Sequence, residues 1–287
     1  MPTSPLNDLH LQRGAHLTEF AGWTLPLRFG SELAEHAAVR TSAGLFDLSH
    51  MAQLRVLGPG AGPGLDDALT GAHDAMRIGR ASYSLILAPD GGIVDDLIVY
   101  RLGAADYLVI ANAANRQAVG RELVNRLAPF DAQLTDVTEE RALVAVQGPR
   151  SARVLTAAGL GAPVAELGYY CAKPAEFDGI DLLVARTGYT GEDGFEVSVP
   201  AQAAKAIWLA LEGAGEDIGL VRAGLAARDT LRLEAAMPLY GHELTRNTNP
   251  WDAGLDRFVA LDKPSFVGRS ALVDDAGDHR PPSRRLV

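Results

Sequence analysis

Residues 92–100 read GIVDDLIVY, and this stretch places two adjacent aspartates, Asp95 and Asp96, inside an otherwise apolar run. Side chains on a β-strand alternate between faces, so a strand here is apolar on both faces and is expected to be covered on both. An unpaired buried charge is costly, so a carboxylate in such a strand is paired, hydrogen-bonded or protonated. The pattern therefore predicts a structural or functional carboxylate and does not choose between the two aspartates. The predicted faces are Ile93, Asp95, Leu97 and Val99 on one side, and Val94, Asp96, Ile98 and Tyr100 on the other.

The segments around this stretch predict hairpins mixed with helices. A strand at 83–87 is joined to it by a turn containing Pro89, Asp90 and Gly91, and another strand follows at 107–111. Without a regular alternation of strand and helix, the pattern indicates the α+β class rather than a doubly wound sheet. Other predicted elements are helices at 115–127, 201–212 and 220–234, strands at 142–147, 182–186 and 195–199, and a chain break at 43–47.

The composition is that of an ordinary globular protein. The chain has 287 residues, of which 47% are hydrophobic and 22% charged, and this length suggests two domains. No apolar run approaches the roughly 18 residues of a membrane span, and the first residues have no signal-peptide pattern. A net charge of −10 disfavours nucleic-acid binding, and the single cysteine, Cys171, excludes an internal disulfide. We therefore expect a cytoplasmic protein without a membrane or nucleic-acid partner.

Two further clusters could carry chemistry. Residues 187–197 contain three glycines and lead into a strand, where Glu196 is by default a solvated side chain and Tyr189 a packing residue. Residues 224–234 form a predicted helix in which Arg228 lies beside the apolar face. Because arginine is rarely buried without a partner, Arg228 needs an anion. That anion is Glu196, another acid within the protein, or a ligand carboxylate, which a guanidinium grips with two hydrogen bonds.

Several enzyme classes lack their signatures. The chain has no G-x-S-x-G and no H-E-x-x-H sequence, and none of its seven histidines pairs with another three or four positions away. His50 and His242 could form a site only if the fold brought them together. We therefore predict no metal site.

Taken together, the clusters resemble the aminomethyltransferase, or T-protein, family of the glycine cleavage system. The similarity runs through most of the chain, and this many blocks in order are a specific signal. The matching blocks are residues 20–23, 35–40, 44–47, 49–51, 81–84, 91–100, 112–115, 188–196, 227–234 and 237–244.

The resemblance implies the folate-binding aminomethyltransferase fold, with antiparallel sheets, flanking helices and tetrahydrofolate in a central channel. It selects Asp96 as the catalytic carboxylate that faces the pterin. The substrate is an aminomethyl group on the lipoyl arm of the H-protein, and the products are 5,10-methylenetetrahydrofolate and ammonia. The cofactor-binding residues that it implies are Tyr83, Asp96, Tyr100, Tyr189, Glu196 and Arg228.

This chemistry requires neither an enzyme nucleophile nor a metal, because a fixed carboxylate can stabilise the cation that forms and orient the folate. The resemblance also implies a monomer of two interleaved subdomains within residues 1–272: about 1–50 with 142–240, and about 51–141 with 241–272. Residues 273–287 are expected to be a linker and the start of a truncated C-terminal β domain. The alternatives are a folate-dependent demethylase of the same superfamily and an inactive, truncated folate-binding protein.

Overall fold

The computed structural model describes residues 3–273, so most of the predicted linker at 273–287 lies outside the described residues. No helix in this part of the chain is long and apolar enough to cross a membrane. The helices and strands are, in chain order, α1 (Asn7–Gln12), β1 (His16–Phe20), β2 (Trp23–Arg28), α2 (Glu32–Thr41), β3 (Ala43–Asp47), β4 (Ala52–Leu57), α3 (Ala61–Ala68), β5 (Ala81–Leu87), β6 (Ile93–Gly103), β7 (Asp106–Ala111), α4 (Arg116–Leu127), β8 (Gln133–Asp136), β9 (Arg141–Gln147), α5 (Ser151–Leu155), α6 (Gly161–Glu166), β10 (Ala172–Phe177), β11 (Ile180–Ala185), β12 (Gly194–Pro200), α7 (Ala204–Gly215), β13 (Leu220–Arg222), α8 (Leu225–Glu234) and α9 (Arg269–Leu272).

The chain divides into two compact units, each made of two separate segments. Unit 1 comprises Met1–Met51 and Thr138–Met237. Its main sheet has the strand order β10-β11-β12-β9-β3-β13, and β1 pairs with β2 in a separate hairpin. The pairs within the main sheet are antiparallel except β13 with β3. Its core includes Phe195 and Trp208, which are fully buried.

Unit 2 comprises Ala52–Val137 and the chain from Pro238 onward. Its antiparallel sheet has the strand order β5-β6-β7-β4-β8. One core lies among β4, β6, β7 and helices α3 and α4, and a second is formed by apolar residues of β5, Ile93 and the segment after Pro238. This arrangement confirms the α+β prediction and covers β6 on both faces, as its apolar pattern predicts.

Strand β6 contains a bulge that the alternation rule did not anticipate. Ile86 pairs with Asp95 and Leu87 pairs with Ile93, which leaves Val94 as an extra residue. Val94 therefore packs in the same core as Leu97, whereas Ile93 packs with the opposite face. The predicted sides of Ile93 and Val94 were wrong, and the alternation from Asp95 onward holds.

Two local predictions in unit 1 were wrong because tertiary pairing overrode the local signal. Residues 43–47, predicted as a break, form the fully buried strand β3 between β9 and β13. The predicted helix at 220–234 is interrupted, because residues 220–222 pair with β3 and the helix begins only at Leu225. Gly224 permits the junction, since a Cβ there would lie 2.3 Å from the carbonyl oxygen of Leu27.

Candidate functional site

The aspartate pair lies on β6, between β5 and β7 in the sheet of unit 2. Asp95 has no exposed surface and points toward the core that contains Leu97. Its Oδ2 atom accepts a hydrogen bond from the Asn112 backbone N–H at 3.0 Å. Its Oδ1 atom accepts from Asn112 Nδ2 at 2.9 Å and from Asn115 Nδ2 at 2.6 Å. Asp95 therefore ties β6 to the chain just after β7.

Asp96 points to the opposite face and is only partly buried. The Tyr83 hydroxyl donates to its Oδ2 atom at 3.0 Å, and Asn112 Nδ2 donates to its Oδ1 atom at 2.9 Å. Leu85 lies directly opposite Asp96 in the β5–β6 register, so Tyr83, two residues away, is on the same face. The Asn112 side chain thus contacts both carboxylates of the pair.

The surroundings shift the proton affinity of both carboxyl groups. Burial raises the pKa of Asp96 above its ordinary value, against the opposing effect of the Tyr83 and Asn112 hydrogen bonds. Burial also raises the pKa of Asp95, and the neighbouring charge of Asp96 raises it further, whereas the asparagine donors oppose the rise. The two carboxyl groups therefore titrate as a coupled pair, and each binds a proton more readily than an isolated aspartate does.

The other two residues predicted in this unit, Tyr83 and Tyr100, lie on the same face of the β5–β6 hairpin as Asp96. Tyr83 packs on Phe258, with 4.5 Å between ring centroids, which fixes the ring that carries the donating hydroxyl. Tyr100 lies on the same face of β6 as Asp96 and is 2% exposed. The structure thus brings Tyr83, Asp96 and Tyr100 together on one side of a single hairpin.

Unit 1 holds the remaining three predicted residues. Arg228 lies on α8, with its guanidinium carbon 4.7 Å from the centroid of the Tyr189 ring. Glu196 lies on β12 and accepts a hydrogen bond from the Thr187 hydroxyl. Burial lowers the pKa of Arg228, while Tyr189 and Glu196 act in the opposite direction. These three residues therefore form one electrostatically linked group.

Arg228 does not form the internal salt bridge that the sequence left open. Among residues 3–273, no carboxylate lies within ion-pair distance of its guanidinium, and its close partner is the Tyr189 ring. A cation over an aromatic face contributes about 0.5–2 kcal/mol, and Arg228 makes this contact without a carboxylate partner among residues 3–273. The geometry therefore leaves its hydrogen-bond donors available to a ligand anion.

Sequence reasoning did not single out Asn112 or Asn115 as site residues, and it named His50 only as a possible partner of His242. Asn112 precedes a short 3-10 turn before α4 and Asn115 ends it, and asparagine at such a position ordinarily indicates the start of a helix. Their membership of the matching block 112–115 was the available clue. His50 is 1% exposed and close enough to Arg228 that burial and this cation lower its pKa to about 3.

Comparison with known proteins extends the resemblance. Residues 6–263 match the family model described as the GCVT N-terminal domain. The chain belongs to the aminomethyltransferase family. An aminomethyltransferase of Saccharopolyspora erythraea is 49% identical over 285 residues, covering 99% of this chain and 77% of that protein. One of Streptomyces coelicolor is 52% identical over 280 residues, covering 96% of this chain and 75% of that protein.

A solved structure supports the same assignment. The glycine cleavage system aminomethyltransferase T from Bartonella henselae matches with a TM-score of 0.88 and 40% identity, covering 94% of this chain and 73% of that one. Members of the family are one-carbon transferases, and tetrahydrofolate is their co-substrate. The arrangement of the site residues must therefore be explained in terms of folate-dependent aminomethyl transfer.

Proposed function

We propose that Asp96 is the catalytic group in transfer of the aminomethyl carbon from a lipoylated H-protein to tetrahydrofolate. The observation that supports this role is the setting of its carboxylate, partly buried and held from two sides by Tyr83 and Asn112. A carboxylate fixed in this way needs no reorganisation when positive charge develops next to it. Its raised pKa also allows it to exchange a proton near neutral pH.

The bonds of the reaction define what the protein has to do. The carbon loses its bonds to sulfur and to the amine nitrogen and gains two bonds to folate nitrogens. The two protons displaced from folate end on ammonia and on the lipoyl thiol, so nothing is oxidised or reduced. Tetrahydrofolate supplies the two nucleophilic nitrogens. The part of Asp96 is to stabilise the cationic carbon and to pass a proton to the departing amine.

The remaining site residues are proposed to bind the co-substrate. In unit 2, Tyr83 and Tyr100 lie on the Asp96 face of the sheet. In unit 1, Tyr189, Glu196 and Arg228 supply an aromatic ring, a carboxylate and a cation. Folate is an aromatic molecule with anionic carboxylates, so an arginine whose donors are available and a nearby aromatic ring suit its chemistry.

The proposal also names the donor protein, the oligomeric state and the location in the cell. The donor is the lipoylated H-protein, since the Bartonella henselae relative is named as part of the glycine cleavage system. We also propose that the chain works as a monomer in the cytoplasm, and the single cysteine among its 287 residues suits a reducing compartment. Sedimentation of the purified chain and cell fractionation would test these two points.

The test of the function is ammonia release from H-protein loaded with the aminomethyl group. We expect ammonia and methylenetetrahydrofolate to form in equal amounts, and only when tetrahydrofolate is present. Supplying a small methylated amine in place of the loaded H-protein separates this reaction from demethylation. Methylenetetrahydrofolate formed from the methylated amine but not from the loaded H-protein would overturn the proposal.

A further inference from the structure

Asp95 is surrounded by hydrogen-bond donors. Its two oxygens accept three N–H groups, from the Asn112 backbone and from the side chains of Asn112 and Asn115, at 2.6 to 3.0 Å. None of these groups can accept a hydrogen bond from a protonated carboxyl. The O–H group of a protonated Asp95 would therefore find no acceptor among these three groups, whereas a carboxylate satisfies all three donors.

Asp96 differs in one respect. Its Oδ2 atom lies 3.0 Å from the Tyr83 hydroxyl, which can donate to a carboxylate or accept from a carboxylic acid. Asn112 Nδ2 contacts Asp96 Oδ1, so the other oxygen is the one that can carry a proton. If the pair holds a single proton, the hydrogen-bond geometry places it on Asp96.

We propose that Asp95 is a positioning residue which, held as an anion by Asn112 and Asn115, keeps a proton on Asp96 for delivery to the departing amine. The inference rests on the proposed catalytic role of Asp96. As the carbon–nitrogen bond breaks, the O–H bond of Asp96 breaks and its proton goes to the amine nitrogen. The nitrogen keeps the electron pair of the broken bond and leaves as ammonia, and Asp96 becomes a carboxylate.

Two phenol groups lie near the pair. They are the hydroxyl of Tyr83, on β5, and that of Tyr240, in the segment after Pro238. Burial and then the charge of Asp95 raise the pKa of Tyr240, with Arg246 acting in the opposite direction. Phenols ordinarily lose a proton near pH 10, so we assign changes of charge at this place between pH 5 and 9 to Asp95 and Asp96, whose pKa values are raised.

The test is the Asp95→Asn variant, assayed for ammonia formation as a function of pH. An amide removes a negative charge adjacent to Asp96, so we expect the alkaline limb of kcat to move to lower pH by about one unit or more. If the proton instead sits on Asp95 in the wild type, the amide mimics that neutral acid and the limb stays where it is. An unmoved limb would overturn the inference.

A second variant guards against loss of folding. Asn115→Ala removes the 2.6 Å donor from Asp95 without touching Asp96. The Asp95 charge is then less neutralised, so the limb should move slightly to higher pH, in the direction opposite to Asp95→Asn. The matched control is Asn247→Ala, at an exposed asparagine, which should leave the limb in place. A change in kcat without movement of the limb in Asn115→Ala would indicate a structural role alone.

A readout without turnover separates this inference from the proposed function. The carboxyl carbon resonance of Asp96, in protein labelled with carbon-13 aspartate and assigned through Asp96→Asn, reports its protonation directly. We expect its titration midpoint to fall in Asp95→Asn, by about the shift seen in kcat. If the midpoint falls in Asp95→Asn but the Asp96→Asn variant remains active, the catalytic role of Asp96 is refuted. The role of Asp95 in keeping a proton on Asp96 is then retained. A midpoint that does not move in Asp95→Asn would refute this role of Asp95.

Discussion

Replacing Asp96 with asparagine tests the centre of the proposed mechanism. The amide keeps the size and shape of the side chain, and its oxygen can still accept one of the hydrogen bonds that Tyr83 and Asn112 now donate. What it loses is the negative charge and the ability to carry a proton. The variant should therefore fold and retain folate binding while losing turnover.

The size of the loss follows from the two functions assigned to this carboxylate. Positioned acid–base catalysis contributes about 100- to 10,000-fold to the rate, equal to about 3–5 kcal/mol of barrier. Removing only the donor at 3.0 Å, with Tyr83→Phe, should cost less, because a hydrogen bond to a charged group contributes about 1.5–3 kcal/mol. We expect kcat to fall in the order wild type, Tyr83→Phe, Asp96→Asn.

The assay is ammonia release from aminomethyl-loaded H-protein, with tetrahydrofolate affinity measured separately by fluorescence titration. Asp178→Asn is the matched control, since this exposed aspartate has a positive φ of 48° that asparagine also tolerates. Turnover of Asp96→Asn within tenfold of the wild type, in a protein that folds normally, would refute the role of the carboxylate.

Three further variants test other parts of the structure. Arg228→Met should weaken tetrahydrofolate binding by about 10- to 100-fold in the same titration, because it removes a partly buried cation whose donors are available to a ligand. An unchanged affinity would count against this role. Gly224→Ala should lower the free energy of unfolding, measured in urea, by about 1–3 kcal/mol, since its Cβ would lie 2.3 Å from a carbonyl oxygen. The control is Gly213→Ala, which should not destabilise the protein because nothing lies within 4 Å of its Cβ. His73 is fully buried, and this burial, together with the smaller effect of the Lys263 charge, lowers its pKa to about 3. Below about pH 6.5 the unfolded chain therefore binds a proton at this residue that the folded protein does not bind. Stability should therefore decline as the pH falls from 7 to 5, by about 2 kcal/mol from this group, and His73→Gln should reduce that decline while the exposed His16→Gln leaves it unchanged.

Much of unit 2 could be predicted from the sequence because its signals are local. Strands β5, β6 and β7 contain short apolar runs separated by turn residues, and the helix at 115–127 has a clear amphipathic pattern. The bulge at Val94 could not be predicted, because it depends on how β5 and β6 pair rather than on the residue itself. In unit 1, β3 and β13 are strands only because they pair with each other and β3 pairs with β9.

The sequence by itself determined the class of the fold, the apolar strand that contains the aspartate pair, and, through the order of its motifs, the family. These properties depend on residue type and spacing along the chain. The tertiary structure decided what each aspartate does. It places three amide donors around Asp95 and a tyrosine hydroxyl beside Asp96, from positions 13 to 20 residues away in the chain. Hydrogen-bond partners and burial set the proton affinity of a carboxyl group, and neither can be read from its immediate sequence neighbours.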